Sequence, residues 1–208
     1  MKNYWLCFRA FWQETLHRQF RLTAILFCAV AAVGFFVCQR NPQLMERLMN
    51  LIRSVLDLVP AEELQSSESS VSPFTEMAAY FFNNAYSLFS SLLWSLVPFL
   101  NLAALSLCAN ALLLGGFSSY SLQSGIPPKT VLLGTLPHGI FEFAAIALTC
   151  SAGLYLCGVV SDRIRHKEGT DALPDAFKNC LSTFWCGVLP LLLISSVIET
   201  WVTPLLVK

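Results

Sequence analysis

Residues 77–128 read MAAYFFNNAYSLFSSLLWSLVPFLNLAALSLCANALLLGGFSSYSLQSGIPP, a run of 52 residues without one charged side chain. A membrane-spanning helix needs about 20 predominantly apolar residues, so this run is long enough for two spans. We expect these spans near 77–95 and 98–117, joined by a turn around Ser95–Pro98. A chain that contains two such spans in succession has lipid as its natural solvent.

The composition of the whole chain agrees with a membrane protein. Hydrophobic residues make up 55% of the 208 residues and charged residues only 12%, whereas a soluble domain carries about 25% charged residues. The formal net charge is zero and no basic stripe is visible, which argues against nucleic acid as a partner. The eight cysteines lie mostly inside apolar runs and form no CxxC pair, so we expect packing residues and neither a metal nor another cofactor.

Three further apolar runs complete the predicted architecture, at 22–38, 139–160 and 180–203. The first is longer than the apolar core of a typical signal peptide, so we interpret it as an uncleaved span. The predicted fold class is all-α, a polytopic membrane helical bundle with about five transmembrane helices. Residues 1–21 would form a cytoplasmic interfacial helix, and residues 22–208 an integral membrane domain with an extracytoplasmic segment at 39–76.

The distribution of lysine and arginine predicts the orientation in the plasma membrane. With five spans and the N-terminus inside, the inner segments carry eight of these residues and the outer segments five. Basic residues are enriched in cytoplasmic loops. We therefore expect a multipass protein whose N-terminus is cytoplasmic and whose C-terminus is extracytoplasmic.

Two amphipathic segments flank the first predicted span. Within 4–20, aromatic and aliphatic residues recur at helical spacing on one face, namely Trp5, Phe8, Trp12 and Leu16, which is typical of a helix at the membrane interface. Residues 43–59 follow the helix-start signal Asn41-Pro42 with a second apolar stripe. This outer helix would be either a lid on the bundle or a docking surface for a partner.

Polar residues inside the predicted spans are the candidate functional residues, because polar and ionisable groups are costly in lipid. Glu142 and Glu199 are the only charged ones, and counting from the span ends places both near the outer face. The residues of this predicted intramembrane polar layer are Asn83, Asn84, Asn110, His138, Glu142 and Glu199. Three alternatives stay open: a hydrogen-bond network that fixes the bundle, a conducting or substrate-translocating site, and intramembrane catalysis.

The fourth span combines part of this layer with a ridge of small residues. His138 and Glu142 are four residues apart and share a helix face, and we expect Pro137 to open that helix. If the network alternative holds, Glu142→Gln should disturb folding or assembly more than any transport rate. Predicted helix-packing residues follow, at Gly139, Ala145, Thr149 and Gly153. Such a ridge lets another helix approach closely and makes a homodimer a candidate assembly.

The segment Leu136-Pro137-His138-Gly139-Ile140-Phe141-Glu142 resembles the signature of the stage II sporulation protein M family. Three further elements are similar in order and spacing: Phe82-Asn83-Asn84, Asn110 to Gly115, and Ile198-Glu199 with Val202-Thr203-Pro204. Together they cover residues 77–204. The chain departs from the family pattern at two places. Ala111 stands where glycine is frequent, and Pro98 lies near a turn that is usually rich in glycine.

The resemblance implies a five-span plasma-membrane protein. In spore-forming bacteria the namesake acts in engulfment, where it anchors the peptidoglycan hydrolases stage II sporulation proteins D and P and is not itself an enzyme. Members also occur in organisms that make no spores. We therefore expect a non-enzymatic scaffold whose partners are membrane lipids and cell-wall hydrolases. The alternative is the membrane subunit of a transport complex with a separate ATPase, because the chain has no nucleotide-binding motif.

Overall fold

The computed structural model describes residues 2–41, 43, 72–166 and 172–207. Within these ranges every regular element is helical. The predicted outer helix at 43–59 lies, except for Gln43, outside the described residues. The described helices are α1 (Lys2–Phe11), α2 (His17–Arg40), α3 (Pro73–Trp94), α4 (Leu102–Gln123), α5 (Pro128–Ile164), α6 (Leu173–Thr183), α7 (Leu189–Val197) and α8 (Thr203–Leu206).

Short π-helical segments join some of these helices into longer rods. Trp12–Leu16 connects α1 to α2, and we call this unit the N-terminal rod. Phe184–Val188 and Ile198–Val202 connect α6, α7 and α8 into a C-terminal rod. No break separates the segment predicted as an interfacial helix from the first span, because the helix runs without interruption from Asn3 to Arg40.

Four helices in the described part of the chain are long and apolar enough to cross a membrane: Asn3–Arg40, Leu102–Gln123, Pro128–Ile164 and Leu173–Leu206. The prediction of an all-α membrane bundle is therefore confirmed. The fifth predicted span corresponds to α3, which has 22 residues but is not one of the four. Its asparagines and serines lower its hydropathy. At about 1.5 Å per residue α3 is as long as the hydrocarbon core is thick, and its crossing stays a prediction.

The start of α3 has a clear local cause. The Ser72 hydroxyl accepts a hydrogen bond from the Thr75 amide at 3.4 Å, and Pro73 occupies the first helical position. Serine is a favoured N-cap, and proline at this position loses no helical hydrogen bond. Glu76 lies in the first turn, where the helix dipole favours a negative charge.

The turn between α3 and α4 runs from Ser95 to Asn101 and contains unusual backbone conformations. Phe99 has φ 66° and Asn101 has φ 33°, a region that glycine adopts most easily. The end of α5 supports this turn. The Phe99 amide donates to the Ser161 hydroxyl at 3.0 Å, and the Arg165 guanidinium lies 4.9 Å from the centre of the Phe99 ring.

The fourth long helix begins earlier than expected. Pro137 lies inside α5, which starts at Pro128, so the expectation that Pro137 opens the helix is wrong. Pro127 and Pro128 provide the start instead, since proline is tolerated in the first turn. His138 and Glu142 therefore lie more than two turns from the N-terminus of α5, and the helix dipole acts on them only weakly because its effect falls off within the first turn.

The two π-helical segments of the C-terminal rod each end shortly before a proline. In the first, the Leu189 amide bonds the Phe184 carbonyl, and Pro190 follows. In the second, the Thr203 amide bonds the Ile198 carbonyl, and Pro204 follows. Proline lacks the amide that would bond the carbonyl four residues earlier and its ring crowds that carbonyl, which favours the wider turn.

Close helix contacts define the core. A Cβ on Gly115 of α4 would collide with the Ala31 carbonyl oxygen of α2, so glycine is needed where these backbones meet. About two turns earlier on α2, the Thr23 hydroxyl lies 2.9 Å from the Ser151 hydroxyl and donates to the Ala147 carbonyl at 3.1 Å. Small residues and internal hydrogen bonds, rather than large apolar side chains alone, therefore hold α2 against α4 and α5.

Candidate functional site

His138 connects α5 to the C-terminal rod through two hydrogen bonds. Its Nδ1 lies 3.2 Å from the Thr203 hydroxyl, at the end of that rod. Its backbone carbonyl accepts a hydrogen bond from the Ser195 hydroxyl at 3.0 Å. Ser195 and Thr203, which are eight residues apart on the C-terminal rod, are thereby both bound to His138 of α5.

Three carboxylates gather beside this connection, and we call Glu76, Glu142 and Glu199 the carboxylate cluster. Glu199 lies within electrostatic range of both Glu142 and Glu76. The Tyr80 hydroxyl donates to the Glu76 carboxylate at 3.2 Å and also lies within electrostatic range of Glu199. The cluster thus draws one carboxylate from each of α3, α5 and the C-terminal rod.

Aromatic packing holds the start of α3 against the same rod. The rings of Phe74 and Trp201 lie 5.4 Å apart, edge to face. Because Glu76 is two residues after Phe74 and Glu199 two residues before Trp201, this contact brings those carboxylates to one level. Sequence reasoning missed Glu76 and Tyr80, since it counted Glu76 with the outer loop. Their four-residue spacing after the Ser72-Pro73 helix start is the signal that could have found them.

The carboxylates at the centre of the cluster have no ionic partner in the described residues. Glu142 and Glu199 are both half-buried, and no described side chain forms a hydrogen bond or ion pair with either. Nor do any three His, Cys, Asp or Glu side chains in the described ranges lie close enough together to hold a metal ion. The network predicted for this layer therefore runs through His138, Ser195 and Thr203 rather than through the carboxylates.

The pairing of Thr203 with His138 resembles part of a hydrolytic site, in which a histidine activates a hydroxyl. Such sites also need a carboxylate that hydrogen bonds the other ring nitrogen of the histidine. Among the described residues His138 has no such bond to Glu142 or Glu199. The two hydrogen bonds that His138 does make connect α5 to the C-terminal rod.

The asparagines of the predicted layer lie apart from this cluster. Asn110 donates from Nδ2 to the Ser106 carbonyl at 2.9 Å, within its own helix. Asn83 is exposed and lines a groove between α3 and α4. Asn84 is half-buried and has no hydrogen bond from its side chain to a described residue. The structure thus brings together His138, Glu142 and Glu199, while α3 contributes Glu76 and Tyr80 instead of its asparagines.

The predicted small-residue ridge is covered by the chain's own helices. Gly153 lies so close to Ser95 and Ala103 that a Cβ there would collide with both side chains. Ala145 and Thr149 are fully buried, and the Thr149 hydroxyl donates to the Ala145 carbonyl at 2.9 Å. Because Ser95 and Ala103 cover Gly153 and the other two residues are buried within the chain, this ridge offers no surface to a second copy and does not support the predicted homodimer.

Gly139 of the predicted packing set has a different environment from the ridge. It is buried, and a Cβ there would lie 3.0 Å from the Phe143 ring of the same helix. The Phe143 ring in turn packs 4.8 Å from the Phe27 ring of α2. Gly139 therefore leaves room for an aromatic contact between α5 and the N-terminal rod.

Three cavities on the described part of the bundle have no residue of the carboxylate cluster in their lining. One of about 660 Å³ lies between α3 and α4, and one of about 280 Å³ lies between α4 and α5. A third of about 510 Å³ separates the N-terminal rod from Cys186–Leu191. None of the three is lined by His138, Glu142 or Glu199.

Comparison with known proteins identifies the family. The family model described as Stage II sporulation protein M matches residues 23–204, which include the second part of the N-terminal rod, the whole of α3, α4 and α5, and most of the C-terminal rod. The resemblance inferred from residues 77–204 is thereby confirmed. A search of curated proteins and a search of solved structures each find no significant match. The chain is a membrane protein that belongs to the stage II sporulation protein M family.

Proposed function

We propose that this protein is a non-enzymatic membrane scaffold that anchors peptidoglycan-remodelling partners, namely cell-wall hydrolases of the stage II sporulation D and P type. What is expected of the family supports a role in engulfment and a location in the plasma membrane. The observation that carries the proposal is the pair of hydrogen bonds by which His138 connects α5 to the C-terminal rod. The ring of this histidine, in the P-H-G-x-x-E element, bonds Thr203 and its backbone carbonyl accepts from the Ser195 hydroxyl, so a family element connects helices.

The packing of the bundle supports a structural role. Small residues bring backbones together at Gly115 and Gly153, and hydroxyls connect helices at Thr23 and Ser151. Interhelical contacts of this kind are what stabilises a membrane bundle, since lipid supplies no hydrophobic force between helices. A rigid bundle suits a protein that holds partners at a defined place.

The proposed partners would dock on the end of the bundle that carries the carboxylate cluster. Gly134 lies beside Val207, and Phe74 packs on Trp201, so the start of α3, the start of α5 and the end of the C-terminal rod share one end. With the N-terminus in the cytoplasm, this end is extracytoplasmic. Cell-wall hydrolases act on that side of the membrane.

Site-specific photo-crosslinking in the native host tests this proposal. A crosslinking residue at Ile126, which is exposed in the α4–α5 turn, should capture a cell-wall hydrolase. The same residue at Ile164, exposed at the opposite end of α5, is the matched control and should not. If no hydrolase is recovered at Ile126 or at other positions of that end, the scaffold proposal fails.

The alternative is a membrane subunit of a transport complex, and one observation favours it. Glu142 and Glu199 lie within electrostatic range on two packed helices and have no described partner, and intramembrane carboxylates often mark ion pathways. Capture of an ATPase at Ile164 instead of a hydrolase at Ile126 would support this alternative. So would loss of ion flux in Glu142→Gln proteoliposomes, provided that this variant keeps the thermal stability of the wild type.

A further inference from the structure

A mainly apolar groove that also carries hydroxyl and amide groups runs along the outside of the α3–α4 hairpin. One wall comes from α3 and the other from the first two turns of α4, and the groove has a volume of about 660 Å³. Hydroxyl and amide groups line it at Asn83, Tyr86, Ser87, Ser90, Ser91 and Ser106. No lysine, arginine, aspartate or glutamate is among its lining residues.

The polar groups of this groove lack hydrogen-bond partners. The side chains of Asn83, Ser87 and Ser90 form no hydrogen bond with any described residue. Two comparable groups on α4 are bonded within their own helix: the Asn110 amide donates to the Ser106 carbonyl, and the Ser118 hydroxyl donates to the Leu114 carbonyl. Polar groups without partners are costly in lipid, so the predicted crossing of α3 requires that something in the groove bonds to them.

The shape of the groove suits a helix. Asn83, Ser87, Ser90 and Trp94 follow the spacing of one helix face, and three of the four are exposed. Serine and alanine are small enough to let a second backbone approach, as at Ser87 and Ala109. The groove also lies on α3, the long helix that falls short of a spanning helix in hydropathy, so coverage by another helix would remove Asn83, Ser87 and Ser90 from lipid.

We propose that this groove is the interface of a homodimer in which α3 of two copies packs side by side. Two copies in one membrane have the same orientation, so a two-fold axis along the membrane normal brings each residue to the depth of its counterpart. Asparagine and serine each donate and accept, so Asn83 can bond Asn83 of the second copy. The absence of charge from the lining removes repulsion between like residues. This inference does not depend on the proposed scaffold function.

Energy transfer between labelled copies in liposomes tests the dimer. As the lipid-to-protein ratio increases, the wild type should dissociate at a defined ratio, and Asn83→Ala should weaken association about three- to tenfold, the effect of one or two interhelical hydrogen bonds. Asn110→Ala is the matched control, because that amide bonds within its own helix, and it should associate like the wild type.

Cysteine crosslinking identifies the occupant independently of affinity. Ser87→Cys should give a disulfide-linked dimer on oxidation, whereas Ile140→Cys, which is 58% exposed on α5, should give no more than the wild type. Energy transfer no greater than random proximity at every lipid ratio would overturn the proposal. A Ser87→Cys crosslink to a different protein, or to residues 43–59 of the same chain, would also overturn it.

Discussion

At the scale of single residues, Gly115 shows how closely the helices approach. A Cβ at this position would meet the Ala31 carbonyl oxygen and would lie 2.8 Å from the Phe35 amide nitrogen, and both are backbone atoms that cannot turn aside. By contrast, nothing lies within 4 Å of a Cβ at Gly158. A larger side chain should therefore be tolerated at Gly158 but not at Gly115, although both glycines lie in long helices.

We expect Gly115→Leu to abolish the folded bundle, because α2 and α4 would have to separate along their contact. Gly158→Leu is the matched control and should keep the wild-type melting temperature. Fluorescence-detected size exclusion after heating, in mild detergent, measures both. A monodisperse and equally stable Gly115→Leu protein would contradict the close contact.

We predict opposite effects on the free energy of unfolding for two threonines near the end of the C-terminal rod. Thr203→Val removes the partner of His138 Nδ1, and loss of an interhelical hydrogen bond in a membrane protein costs about 0.6 to 1.7 kcal/mol. The Thr200 hydroxyl is buried without a partner among the described residues, so Thr200→Val should leave the free energy of unfolding unchanged or raise it. Denaturation in mixed detergent micelles compares them, and equal losses would argue against the His138 connection.

The structure also changes the expectation for Glu142. Sequence reasoning predicts that Glu142→Gln disturbs folding, but this carboxylate has no described partner and lies within electrostatic range of Glu199. Removal of a charge relieves repulsion between carboxylates. We now expect Glu142→Gln to be as stable as the wild type or more stable, whereas His138→Ala should be less stable. A clear loss of stability in Glu142→Gln would indicate a partner outside the described residues.

At the scale of elements, the membrane crossing of α3 decides the topology. With the N-terminus in the cytoplasm, a crossing by α3 puts the α4–α5 turn at 124–127 outside and the start of α6 inside, whereas without that crossing the two exchange sides. We expect Gly125→Cys to react with an impermeant maleimide from outside intact cells, and His166→Cys to react only after permeabilisation. Labelling of both from the same side would rule out a single crossing by α5 between them. Labelling of Ser72→Cys and Pro98→Cys from one side would exclude a crossing by α3.

At the scale of the whole molecule, the N-terminal rod is part of the core. Phe11 is 4% exposed and its ring lies 4.8 Å from that of Tyr155, while Leu16 is completely buried. The Cys7 thiol also donates to the Asn179 side chain at 3.0 Å. The residues before the first apolar run therefore pack against α5 and α6.

We expect Phe11→Ala to destabilise the bundle by about 3 kcal/mol, as is usual for a buried phenylalanine. Leu6→Ala, at a position that is 61% exposed, should change the melting temperature little in detergent. If both variants melt like the wild type, residues before Trp12 make no energetic contribution to the fold, and the predicted division at residue 21 would be the better description.

The sequence by itself determined the class of the protein, its family and its candidate residues. Charge-free runs and low charge content dictate helices in lipid, because only closed backbone hydrogen bonding is tolerated there. The Leu136–Glu142 element identified the family and pointed to His138, Glu142 and Glu199. These signals are local, and the physical chemistry of the bilayer makes them readable without knowledge of any contact.

Only the tertiary structure decided how these residues are used. It showed that Thr203 bonds His138, that Glu76 joins the carboxylates, and that the ridge at Gly153 is filled by the chain's own turn. Periodicity reveals which face of a helix is polar or small. It cannot reveal which neighbour covers that face, because this depends on helix order, on tilt and on the π-helical turns that shift the register of the C-terminal rod.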